Sequence, residues 1–89
     1  MALMTTRVIF ADFNNFDPDG YIRLSCVGTT HDLELAGISL RAGLHLVVSD
    51  GDLRAEIEVM PPSSEGFWRG KFITAIEEFD HETGTWSRL

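Results

Sequence analysis

The segment Phe67-Trp68-Arg69-Gly70-Lys71-Phe72 interleaves aromatic side chains with the only closely spaced pair of cations in the sequence. Aromatic rings stack on nucleic-acid bases and cations hold phosphates, so this pattern suits a small barrel that binds single strands. Tyr21 and Arg23 repeat the combination and could lie on an outer face too. The possible partner surface therefore comprises Trp68, Arg69, Lys71, Tyr21 and Arg23. The alternative, which the sequence favours, is that the aromatic rings belong to the core.

The overall charge weighs against nucleic acid. Fourteen acidic residues against seven lysines and arginines give a formal net charge of −7. Such a balance repels nucleic acid and anionic membranes at long range, and it favours solubility or a basic partner. We therefore expect a protein partner or a homodimer, with nucleic acid disfavoured and no membrane association.

A turn-forming segment, Asn15 to Ile22, has oxygen-bearing side chains at alternate positions. Asn15, Asp17 and Asp19 fall at the first, third and fifth positions of an EF-hand calcium loop, and a glycine follows at the sixth. The position of the closing glutamate is Cys26, however, and Arg23 stands where a further ligand is expected. The sequence thus favours a hairpin turn, with at most a weak cation site at Asn15, Asp17 and Asp19.

No arrangement of residues indicates catalysis or a cofactor. The three histidines, His31, His45 and His81, lack the short spacing of a metal-binding pair. His45 is expected on the outer face of a hairpin, in contact with a residue of the opposite strand. The single Cys26 cannot form an internal disulfide, which suits a reducing compartment such as the cytoplasm, and we expect it in the core.

These observations predict a small, non-catalytic, intracellular protein-interaction module without a cofactor. Two alternatives remain open. The first is a nucleic-acid-associated barrel that uses the Trp68–Phe72 strip. The second is a weak cation- or small-ligand-binding domain.

The best-specified element is a hairpin between Ile38 and Met60. Apolar residues alternate with polar ones along Leu44–Ser49 and again along Leu53–Val59, the period of a half-buried strand. Asp50-Gly51-Asp52 joins the two runs, and Asp-Gly is a strong hairpin-turn signal.

The flanking segments predict further strands. Arg7–Phe13 and Tyr21–Val27 are expected to form a hairpin with a long loop, and Phe67–Ile73 is expected to be a strand. Its inward set is either Trp68, Gly70 and Phe72 or Phe67 and Ile73. Residues 74–79 fit a helix or a strand; we favour a strand, followed by a turn at Asp80–Gly84 and another strand.

The sequence therefore predicts one all-β domain over residues 1–89, a small antiparallel barrel of five or six strands. One short helical turn is expected near residues 30–36, with Thr30 as N-cap and Gly37 as its end. In outline the layout resembles SH3-like barrels, on the stretch Gly43–Val59 alone, and an OB-type barrel is the second choice. Met4 is an alternative start, in which case Met1–Leu3 are not native, and the first seven residues show no secretory signal.

Overall fold

The computed structural model describes residues 7–89, so the question of Met1–Leu3 lies outside the described residues. Within these residues, seven strands and one helix form a small β-rich domain. In chain order they are β1 (Val8–Phe10), β2 (Ile22–Arg23), α1 (Val27–Ala36), β3 (His45–Ser49), β4 (Leu53–Met60), β5 (Arg69–Phe72), β6 (Glu77–Asp80) and β7 (Thr85–Arg88).

The strands form one sheet in the order β1-β3-β4-β5-β2. Outside this order, β6 pairs with β4 on one side and with β7 on the other. The predominantly β character is confirmed. The sheet is not closed between β1 and β2 in the described residues, so the barrel is not confirmed. One pair departs from the predicted antiparallel pattern, because β1 runs parallel to β3, with Val8 opposite Val47.

The predicted hairpin of the first two strands is wrong, because β1 and β2 lie at opposite ends of this order. The turn at Asp17–Gly20 instead closes a much smaller hairpin. In it, the amide of Asp17 donates to the carbonyl of Tyr21 (2.8 Å), and the amide of Arg23 donates to the carbonyl of Asn15 (2.9 Å).

The central hairpin is confirmed as the β3–β4 pair, with Val48 opposite Ala55. Gly51 in its turn has φ of 103°, a conformation that side chains disfavour and glycine adopts freely. The carboxylate of Asp50 accepts the amides of Asp52 and Leu53. The inward residues of both strands enter one core, which consists of Ile9, Ala11, Phe13, Ile22, Leu24, Leu33, Leu46, Val48, Ala55, Ile57 and Val59.

The helix is longer than predicted. It begins at Val27 after an extended Cys26, whereas the sequence predicted a start at Thr30. The start differs because Thr29 is buried inside the helix, where its hydroxyl donates to the carbonyl of Phe10 at 2.6 Å. The predicted end at Gly37 is confirmed: this residue has φ of 68°, and its amide donates to the carbonyl of Glu34.

The structure shows which residues of the segment around β5 face the core. Gly70 is buried, and Trp68 and Phe72 pack against the core, so the first of the two predicted sets is confirmed. Phe67 and Ile73 are exposed by 48% and 39%. The strand-turn-strand prediction for the last residues is confirmed by the antiparallel β6–β7 pair.

A bulge separates β5 from β6, which both pair with the same strand. Phe72 lies opposite Ile57 and Glu77 lies opposite Arg54, so the four residues 73–76 face only the two residues 55–56. The backbone of Glu56 still finds partners there: its carbonyl accepts the Ile73 amide, and its amide donates to the Thr74 hydroxyl, each at 3.0 Å. Bulges of this kind bend a sheet and often lie beside functional sites.

Candidate functional site

The acidic turn and the basic strip, which looked like separate motifs in the sequence, lie against each other. Nη1 of Arg69 donates to Oδ2 of Asp17 at 3.0 Å and to Oδ2 of Asp19 at 2.7 Å. The same guanidinium stands 4.8 Å from the ring centroid of Tyr21. We call these four residues the Arg69 cluster.

Asp17 is the anchor of the Arg69 cluster, since its side chain is fully buried. Its Oδ1 accepts the amides of Asp19 and Tyr21, each at 2.9 Å. Burial acts to raise the pKa of this carboxyl, but the hydrogen bonds from the Tyr21 amide, Arg69 and the Asp19 amide outweigh burial, and the pKa is lowered. The hydrogen bonds to Asp17 and Asp19 raise the pKa of Arg69 in turn.

A second arginine is held beside this cluster. Nε and Nη2 of Arg23 donate to the two carboxylate oxygens of Glu65, at 3.0 and 2.7 Å. Its Nη1 donates to Oδ1 of Asn15 and to the carbonyl of Phe16. These hydrogen bonds raise the pKa of Arg23 and lower the pKa of Glu65.

Arginine therefore engages all three of the residues predicted as weak cation ligands, Asn15, Asp17 and Asp19. Across residues 7–89, no group of three or more histidine, cysteine, aspartate or glutamate side chains is placed to hold a metal ion.

The predicted partner surface is brought together only in part. Arg69 and Tyr21 belong to one cluster, Arg23 binds Glu65, and Trp68 packs against the core. Lys71 is exposed on β5, opposite Glu58 of β4. The arginines of this surface therefore have carboxylate partners within the molecule.

A groove at the bulge was not anticipated from the sequence. Its volume is about 550 Å³, and it is lined by Val8, Val47, Arg54, Ala55, Glu56, Thr74, Ala75, Glu77 and Arg88. Nε of Arg54 donates to Oε1 of Glu77 at 2.8 Å, and its guanidinium lies 4.2 Å from the ring centroid of Trp86. The groove joins residues from β1, β3, β4, the bulge, β6 and β7, and no short sequence motif spans such a set.

The two ends of the main strand order are both covered. On β1, the amide of Phe10 donates to the carboxylate of Asp32 at 2.8 Å, and its carbonyl accepts the hydroxyl of Thr29. On β2, the segment from Asn15 to Asp17 supplies the hydrogen bonds of the small hairpin. Backbone groups of Phe10 on β1, and of Tyr21 and Arg23 at the β2 edge, are thus already partnered, which protects an edge from pairing with another chain.

The outer edge of β7 differs. Within the part of the chain that the structure describes, this strand pairs with β6 alone. The amide of Leu89 donates to the carbonyl of Ile76 at 2.9 Å, so backbone groups of the odd-numbered residues point toward β6. The amides and carbonyls of Trp86 and Arg88 consequently point outward, to the open side.

The isolated polar candidates do not converge on a site. Nδ1 of His45 lies 3.2 Å from a carboxylate oxygen of Glu56 on the neighbouring strand, which confirms its predicted cross-strand contact. His81 pairs with Asp52 between two turns, and His31 is exposed. The prediction that Cys26 is a core residue is wrong, because the chain leaves the sheet after Arg23 and Cys26 is only half-buried before the helix.

No family model, no curated protein and no solved structure matches this chain.

Proposed function

We propose that the protein is a small, non-catalytic protein-interaction module that binds an extended protein segment along the outer edge of β7. The observation that carries this proposal is the contrast between the strand edges. The edge of β1 is partnered at Phe10 and that of β2 by the Asn15–Asp17 segment, whereas no other group among residues 7–89 pairs with the outward backbone groups of Trp86 and Arg88. A free edge is a template on which an added strand forms main-chain hydrogen bonds.

The charges support a protein partner over nucleic acid. Net charge is −7, and the two arginines of the predicted partner surface are held by carboxylates: Arg69 by Asp17 and Asp19, and Arg23 by Glu65. Backbone pairing at β7 does not depend on a positively charged surface. We also place the module in the cytoplasm, because a single cysteine suits a reducing compartment.

Selection of binders from a library of random peptides tests the proposal. Two substitutions of Arg88 serve as a matched pair. Arg88→Pro removes an outward amide without removing a hydrogen bond to β6, a position at which edge strands tolerate proline. Arg88→Gln removes the charge and keeps the amide. We expect peptides selected on the native protein to bind Arg88→Gln and to lose at least tenfold in affinity for Arg88→Pro.

Amide chemical shifts locate the contact independently. Peptide binding should shift the amides of Thr85–Arg88 most strongly. Equal affinity for Arg88→Pro, shifts centred on the Arg69 cluster, or a selection that yields no binder would each contradict the proposal. Circular dichroism of both variants verifies that they remain folded.

A further inference from the structure

We propose that the segment received by β7 is the β7 strand of a second copy of this chain, an inference that rests on the proposed function. Two antiparallel strands related by a twofold axis keep the same face of the sheet, so paired residues must belong to the same face. Trp86 and Arg88 share one face, and both point their backbone groups outward.

One register uses all of these outward groups. It places Trp86 opposite Arg88 of the second copy and Arg88 opposite Trp86 of the second copy. Each of the two pairs exchanges two hydrogen bonds, and Ser87 faces its own counterpart on the axis. The neighbouring register, with Trp86 opposite itself, would place Arg88 opposite Gly84, which lies in the turn outside the strand.

The side chains fit this register. Arg88 and Trp86 lie on the face of the sheet that contains the groove. On this face, Arg88 of each copy comes beside Trp86 of the other, and cations interact favourably with an indole ring. Phe79 extends the same row, because its ring centroid lies 5.1 Å from that of Trp86. On the opposite face, two small exposed serines meet at the axis, where no bulky group obstructs the close approach of the strands.

Charge repulsion between the Glu78 residues of the two copies is modest in this arrangement. Glu78 lies opposite Ser87 on β6, so the two Glu78 residues are three strand spacings apart, about 14 Å. This separation exceeds the Debye length at physiological salt, about 8 Å. The overall charge of −7 on each copy still opposes association, and added salt should therefore strengthen the dimer.

The short edge sets the expected strength. Four residues of β7 form a small interface, whereas stable complexes bury about 1,200–2,000 Å² in total. Self-association should accordingly be concentration-dependent and should appear near millimolar protein.

Cysteine cross-linking tests the register. In a Cys26→Ser background, Ser87→Cys places two thiols on the axis, where the Cα atoms of a non-hydrogen-bonded pair stand about 4.5 Å apart, within disulfide range. Thr85→Cys is the matched control, because Thr85 faces Leu89 of the second copy and the two Thr85 residues are about 14 Å apart. We expect Ser87→Cys to cross-link at least tenfold faster at about 1 mM protein. Equal rates for the two variants would overturn the register.

Sedimentation of the native protein and of Arg88→Pro separates this inference from the proposed function. The average molecular mass of the native protein should rise with protein concentration, whereas that of Arg88→Pro should stay at the mass of the monomer. A native protein that stays monomeric at about 1 mM rejects the second copy as the partner. In that case, selected peptides that bind the native protein and not Arg88→Pro would leave the proposed function standing, and the absence of such peptides would remove both.

Discussion

Replacing Gly70 with alanine should destabilise the fold, because this glycine lies between two core isoleucines. It pairs with Ile22 on β2 and with Val59 on β4. A Cβ at this position would press on Cδ1 of Ile57, and it would lie 3.1 Å from Cβ of Ile57 and 3.2 Å from Cγ2 of Ile22. Both isoleucines are completely buried, so any shift that makes room for the new methyl group takes place inside the packed core.

The size of the effect follows from two opposing contributions. An extra methyl group in a well-packed core costs about 1–3 kcal/mol. Alanine restricts the unfolded chain more than glycine does, which returns about 0.5–1 kcal/mol. We therefore expect Gly70→Ala to lower the free energy of unfolding by about 1–2 kcal/mol and the Tm by roughly 4–16 °C.

Urea unfolding followed by tryptophan fluorescence measures this change, and a double-mutant cycle identifies its cause. Ile57→Val removes Cδ1 and should cost about 0.5–1.5 kcal/mol by itself. In the double variant the new methyl group gains room, so the combined loss should fall short of the sum by at least about 0.5 kcal/mol. An alanine variant as stable as the native protein, or strictly additive losses, would refute the packing argument.

Three further changes test other contacts. Because the pKa of Asp17 is lowered by folding, its carboxylate stabilises the fold above its unfolded pKa, and this contribution is lost as the pH falls through the folded pKa. Urea unfolding at pH 7 should therefore show Asp17→Asn less stable than the native protein, and the difference should shrink below about pH 4. Thr29→Val removes the 2.6 Å hydrogen bond from the buried Thr29 hydroxyl to the carbonyl of Phe10 and should cost about 0.5–1.5 kcal/mol in the same assay. Gly37→Ala forces a side chain onto a φ of 68° and should cost about 1 kcal/mol in thermal unfolding, whereas an unchanged Tm would contradict the left-handed conformation.

Local signals in the sequence predicted the elements that neighbouring residues determine. The alternation of apolar and polar residues on either side of Asp50-Gly51-Asp52 was sufficient to predict the β3–β4 hairpin. Residues close together in the sequence determine the strand period, the turn and the register of this pair. The end of the helix at Gly37 was predictable for the same reason, since a left-handed residue terminates a helix locally.

Long-range pairings were not predictable in this way. The three-residue strand β1 has no turn linking it to β3, so nothing in its sequence fixes its parallel direction. The helix start was missed because Thr29 satisfies its hydroxyl on Phe10, a residue 19 positions away. The groove likewise depends on the bulge at residues 73–76, whose position is visible only from the pairing of both flanking strands with β4.

The Arg69 cluster joins the two motifs on which two of the sequence hypotheses rest. A run of acids suggests a bound cation, and a pair of cations among aromatics suggests a bound phosphate, because each motif by itself carries unpaired charge. Here the cation of one motif lies 52 residues from Asp17 and 50 from Asp19 of the other, and the fold brings them within hydrogen-bonding distance. Arg69 of the basic strip thus binds both Asp17 and Asp19 of the acidic turn. The same contacts fix Arg69 on β5 and the turn that covers the edge of β2, so the charges that resembled a binding site help to hold the partner of that edge in place.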